Sequence, residues 1–228
     1  VAKGYPAFSA GATIGTVLQA YHAWFWCLLI FAWGSKLLNR PSCTLTYLNQ
    51  AVYPTYVVHL STQLGLERIK QAQARGQRVW TETCPQYLLL SDAEMARYGP
   101  LAKIGPPLRP EDGPDRDALW QGLEQGHTSI IASDHSPHPQ ELKQMGWDNI
   151  FVTPEGASVP FGSPGVETIV SLMYSEGVVK RGLPIWWLAR VMSENPARIF
   201  GLYPRKGTIQ VGSDADLLII DPGVDRVI

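Results

Sequence analysis

Residues 130–138 read IIASDHSPH, three apolar residues running straight into Ser133, Asp134 and His135. So short and unbroken an apolar run is the pattern of a strand buried on both faces, with polar residues emerging at its C-terminal end. In a barrel of parallel strands, that end is where catalytic groups collect. A carboxylate there needs a cation, a metal or several donors to offset its desolvation, which makes Asp134 a candidate site residue. Taken by itself the stretch leaves a second role open, in which Asp134 caps the next turn or pairs with His135.

Working outward, the flanks keep a steady rhythm. Residues 115–126 (DRDALWQGLEQG) predict a helix closed by Gly126. Residues 77–84 (QRVWTETC) predict a strand stopped by Pro85, followed by a loop that 103–110 (KIGPPLRP) closes. Residues 64–75 (LGLERIKQAQAR) have helical spacing, with Leu66 and Ile69 on one side and Gly76 at the C-cap. Residues 55–61 (TYVVHLS) predict another buried strand, with His59 and Ser61 at its polar tip. Strands alternating with helices at this spacing indicate an α/β protein with a parallel sheet or barrel.

Downstream of Pro139 a Gly- and Pro-rich loop of about 25 residues is expected, a length usually tied to function. Helices are predicted at 166–175 and 184–192, and a short one opens at Asn195-Pro196. Residues 207–222 (GTIQVGSDADLLIIDP) change character and predict a hairpin-like pair of short strands, the edge of a separate β-structure.

Composition sets the outer bounds. The chain has 228 residues, 45% hydrophobic and 17% charged, which suits a globular protein with a sizeable core. A net charge of -1 gives no reason to expect a nucleic-acid or anionic-membrane partner. Cys27, Cys43 and Cys84 are widely spaced without a CxxC pair, so they predict free thiols in a reducing compartment, the cytoplasm. The apolar stretch AWFWCLLIFAW (23–33) is interrupted upstream by Gly15, Thr16, Gln19 and His22. A membrane span needs about 20 apolar residues, so a helix leading into a buried strand is expected in preference to a membrane segment.

Several motifs occur together in order: VVHLS (57–61), ETCPQYL (82–88), GPPLR (105–109), SDHSPH (133–138), GSPGVE (162–167), NPARIFGLYPRKGTI (195–209) and VGSDADLLIIDP (211–222). Together they resemble the second half of a cyclic amidohydrolase of the dihydropyrimidinase and hydantoinase type. The resemblance implies part of a metal-dependent (β/α)8 barrel over 1–205, with strands of a small β-sandwich over 206–228. It also implies hydrolysis of a small cyclic amide at a two-metal centre, with zinc the expected metal, in a homo-oligomer.

Carried over position by position, His59 matches a metal-binding histidine at the tip of the sixth barrel strand. Asp134 matches a carboxylate on the eighth strand that binds the other metal and shuttles the proton. Tyr5, in YPAF, falls where the family has a tyrosine that hydrogen-bonds the oxyanion. Gly105 and Phe161 stand at substrate-binding positions where many relatives have serine and asparagine, and these differences are expected to change specificity. The family's bridging lysine would fall immediately before Val1, and Lys3 is out of register with it. Ala32 and Trp33 follow the apolar run where a further metal histidine is usual. This chain alone is therefore expected to fall short of full activity. A non-catalytic structural or assembly protein on the same scaffold, or an inactive gene fragment, stands beside the enzyme as an alternative. If the inheritance holds, His59 and Asp134 share a cleft with side-chain tips about 4–8 Å apart, and ETCPQ lies between their strands.

Overall fold

The computed structural model describes residues 55–223. Tyr5, Lys3, His22 and the apolar stretch 23–33 lie outside the described residues.

Three short parallel strands position everything that follows. They are β1 (Thr55–Val57), β2 (Val79–Thr83) and β3 (Ile130–Ile131), in the order β1-β2-β3. The register pairs Thr55 with Val79 and Val57 with Thr81, then Glu82 with Ile130 and Thr83 with Ile131. Backbone bonds carry the ladder past the strand ends, from Leu60 N to Glu82 O (2.9 Å) and from Ala132 N to Thr83 O (3.0 Å). The C-terminal ends of all three strands therefore lie at the same edge, with the ETC segment in the middle as expected.

Parallel strands need crossover connections, and helices supply them. Between β1 and β2 runs α1 (Gln63–Ala74), capped by the Thr62 side chain, which accepts from Gly65 N, and closed by Gly76 at φ 78°. Between β2 and β3 come α2 (Pro85–Leu89), α3 (Asp92–Tyr98), a 3-10 turn (Gly99–Ala102) and α4 (Asp115–Glu124). The predicted helices α1 and α4 are present within two residues of their expected ends. They approach closely at Gly122, where a Cβ would stand 2.9 Å from Leu66 Cδ1.

The expected loop after Pro85 is in fact helical in two places. The signal for the second was in the chain: Ser91 and Glu94 form a capping box, with Ser91 N donating to Glu94 Oε2 at 2.6 Å. After β3 come α5 (Gln140–Gln144), α6 (Ile169–Met173), α7 (Ile185–Ala189) and α8 (Asn195–Ile199). Wide π-type turns, Tyr174–Lys180 and Arg190–Glu194, extend α6 and α7. The core lies between helices and sheet and includes Leu60, Leu66, Cys84, Leu119, Leu123, Met173 and Trp187.

The hairpin expected over 207–222 does not form strands among the described residues. Ile209 is 88% and Ile219 91% exposed, so the apolar side chains have no sheet to cover them. Two short strands without a packing partner are marginal in water, which accounts for the missing ladder.

Candidate active site at the strand tips

His59 follows β1 by two residues, and Asp134 follows β3 by three. Both have positive φ, 53° and 49°, and they are the non-glycine residues with that geometry among the described residues. Left-handed backbone at a non-glycine residue costs about 1–3 kcal/mol and is characteristic of functional sites. The turn brings the two side chains together: His59 Nε2 lies 3.3 Å from Asp134 Oδ1. That is closer than the 4–8 Å expected. It is the distance of a direct histidine–carboxylate contact, and it also lies within the spread of two donors that share one cation at bonds of about 2 Å.

Glu82, next to the end of β2, stands on the strand between those two. Its Oε1 is 3.7 Å from His59 Nε2, and its Oε2 accepts a short hydrogen bond from the Tyr56 hydroxyl. Burial, then the hydrogen bond to the Glu82 carboxylate, pushes the Tyr56 hydroxyl well above its ordinary range, so it remains a donor. Cys84 lies just beyond, a free and fully buried thiol. Burial pushes the thiol pKa up, and the Glu82 and Asp134 carboxylates raise it further. The donor atoms of His59, Glu82 and Cys84 all lie within 4.8 Å of one another, and Asp134 is not a member of that triangle. Nitrogen, carboxylate oxygen and sulfur are the ligand types of zinc-class sites, so these residues fit a divalent cation. Glu82 is not among the residues expected at the site, and Cys84 is expected only as a free thiol. The signal available was that ETC is the polar end of a buried strand, as SDH is.

Gly105 and Phe161 are brought together, since a Cβ on Gly105 would stand 3.4 Å from the Phe161 ring. They reach the strand tips through the segment after Phe161. Ser136 N donates to Ser163 O (3.0 Å), and Gly162 and Gly165 press so closely on Ser136 and Ser133 that Cβ atoms there would fall at 2.6 and 3.0 Å. His135 holds the same turn, with Nδ1 accepting from Gly165 N (3.1 Å) and Val166 N (3.2 Å). That nitrogen is fully engaged, which gives His135 a supporting role. His127 is bound to Gln73, and His138 to Ser136.

Lys143, a residue without any motif, anchors this wall. Its ammonium donates to the carbonyls of Leu101 (2.8 Å), Lys103 (3.2 Å) and Gly162 (2.6 Å), and the residue is 5% exposed. Burial, then the nearby Lys103, depresses its pKa. Lys143→Met keeps the chain's bulk but leaves buried carbonyls without a donor. We expect a loss of about 1–3 kcal/mol of stability by urea unfolding, with the 101–105 and 161–165 segments loosened first in hydrogen exchange. An unchanged midpoint would show that the cage contributes nothing.

Comparison with known proteins agrees with this architecture. The Amidohydrolase family matches residues 41–227. The L-hydantoinase of Paenarthrobacter aurescens is 44% identical over 169 residues, 74% of this chain and 35% of the relative. The D-hydantoinase of Geobacillus stearothermophilus is 37% identical over 191 residues, 82% of this chain and 38% of the relative. Among solved structures, a D-hydantoinase superposes with a TM-score of 0.72 at 37% identity, covering 82% of this chain and 39% of its own. The L-hydantoinase from Arthrobacter aurescens gives 0.69 at 40% identity, with 81% and 39% covered. The chain thus spans between a third and two-fifths of the length of these relatives. Among the described residues no helix is long and apolar enough to cross a membrane. A family whose centre depends on divalent metal accounts for the donors gathered at the strand tips, and the chain belongs to the amidohydrolase family.

Proposed function

We propose that His59 and Asp134 serve a hydrolytic site that opens small cyclic amides of the hydantoin or dihydropyrimidine type. The carrying observation is their contact at 3.3 Å across the tips of β1 and β3, each on left-handed backbone. The fuller architecture we infer is part of a (β/α)8 barrel over 1–205, with 206–228 belonging to a small β-sandwich. Zinc is the proposed metal, supported by the mixed donors around His59. When bound, a divalent cation supplies Lewis acidity, bringing the pKa of water toward neutrality and polarising an amide carbonyl. His59 offers a ring nitrogen toward it. Asp134 accepts the proton of the attacking water as the new C–O bond forms and delivers it to the substrate's leaving nitrogen as the C–N bond breaks. Tyr5 is proposed to donate to the oxyanion, and Gly105 and Phe161 to border the substrate. The exposed apolar side chains around 209–219 support a homo-oligomer, and the free buried Cys84 a cytoplasmic setting.

The test is transplantation. A hydantoinase relative carrying residues 55–223 of this chain in place of its own should still open hydantoin. A folded, metal-loaded but inert chimera would contradict the proposal. The 228-residue chain alone is expected to turn over dihydrouracil or hydantoin far below about 10 per second, a typical enzyme rate. A rate within tenfold of that value would show that the residues in hand suffice.

A further inference from the structure

We propose that Glu82 and Cys84 are metal ligands, which with the His59 ring form a nitrogen–oxygen–sulfur site at the end of β2. This rests on the reading that His59 holds a divalent cation. The donor atoms of the three side chains lie within 4.8 Å of one another. Bonds of about 2.0–2.3 Å to a common ion place such donors up to about 4 Å apart, so small side-chain rotations close the set. Glu82 is 8% exposed, and a buried carboxylate needs compensation that one neutral hydroxyl does not supply. The Tyr56 hydroxyl fixes Oε2, while Oε1 faces the His59 ring at 3.7 Å, longer than a hydrogen bond. Cys84 is the third polar residue of the same strand end, and its sulfur turns toward that gap instead of away from it.

Two of the three ligands sit at the end of a paired strand, where the backbone is fixed by the ladder to β1 and β3. Rigid placement of this kind favours a narrow range of ion sizes. A thiolate ligand further selects zinc-class and softer cations over magnesium and manganese, whose sites are built from oxygen. Coordination breaks the Cys84 S–H bond, forms one sulfur–metal bond and releases one proton to solvent. The shared chemistry is therefore that of a divalent, thiophilic cation.

Cobalt(II) added to the 228-residue chain is the probe, since thiolate coordination produces a sulfur-to-cobalt charge-transfer band distinct from the visible bands of any tetrahedral site. We expect that band in the parent chain and in a Cys27→Ser/Cys43→Ser background. Cys84→Ser should abolish it while the visible bands remain, and Glu82→Gln should weaken cobalt binding by at least about 10-fold. Circular dichroism identifies any variant that fails to fold, in which case Cys84→Ala replaces Cys84→Ser. Visible bands without the charge-transfer band, or a band that survives in Cys84→Ser, overturn the role of sulfur. Unchanged affinity in Glu82→Gln overturns the role of the carboxylate. No cobalt binding by the parent, or full binding by His59→Asn, overturns the reading of His59 itself and this inference with it.

Discussion

Asp134→Asn in the hydantoinase chimera is expected to lower kcat by about 10²–10⁴-fold with little change in stability, the range associated with loss of a positioned acid–base group. The substitution is chosen for the backbone as much as for the chemistry. Asp134 sits at φ 49°, and asparagine is among the residues that tolerate left-handed geometry best. Its amide also keeps the carboxylate's shape, so the contact with His59 Nε2 at 3.3 Å can persist while the capacity to take a proton is gone. His59→Asn follows the same logic at φ 53° and should lose metal affinity. A kcat for Asp134→Asn within tenfold of the parent chimera would remove Asp134 from the proton path.

How far this site could be read in advance depends on what each residue type reveals locally. His59 and Asp134 ended buried apolar runs, and such runs point polar residues toward one edge. Glu82 follows Thr81 in a strand that alternates polar and apolar residues, so only its place in the polar ETC end hinted at the site. Its burial follows from lying between two other strands, a long-range fact. The same holds for Lys143, whose three carbonyl partners lie 19 to 42 positions away in the chain. Helix α3 was missed although its capping box was visible, because Pro85 and the later prolines suggested an unbroken loop. The strands expected over 207–222 were locally plausible. Alternating apolar residues make strands only when a second layer covers them.

Trp187→Ala is expected to cost about 3–5 kcal/mol, the range for removing a large aromatic side chain from a packed core. Trp187 is 1% exposed, whereas its neighbour Trp186 is 60% exposed. The two are indistinguishable in composition, and only the helix phase separates them. The Trp187 ring packs on Trp120 with centroids 6.2 Å apart, and Trp120 Nε1 donates to Leu88 O at 3.2 Å. The wide turn at Gly177 comes so close that a Cβ would stand 2.6 Å from the Trp187 ring. Trp186→Ala should change stability by no more than about 0.5 kcal/mol, as exposed substitutions do. Equal effects of the two variants in chemical denaturation would mean that the helix presents a different face to the core.

The most direct measurement is anomalous diffraction at the zinc edge from crystals of this chain grown with zinc. A divalent cation held at the strand tips predicts a peak about 2 Å from both His59 Nε2 and an Asp134 carboxylate oxygen. Zinc bound only elsewhere, with His59 and Asp134 still in direct contact, would contradict it.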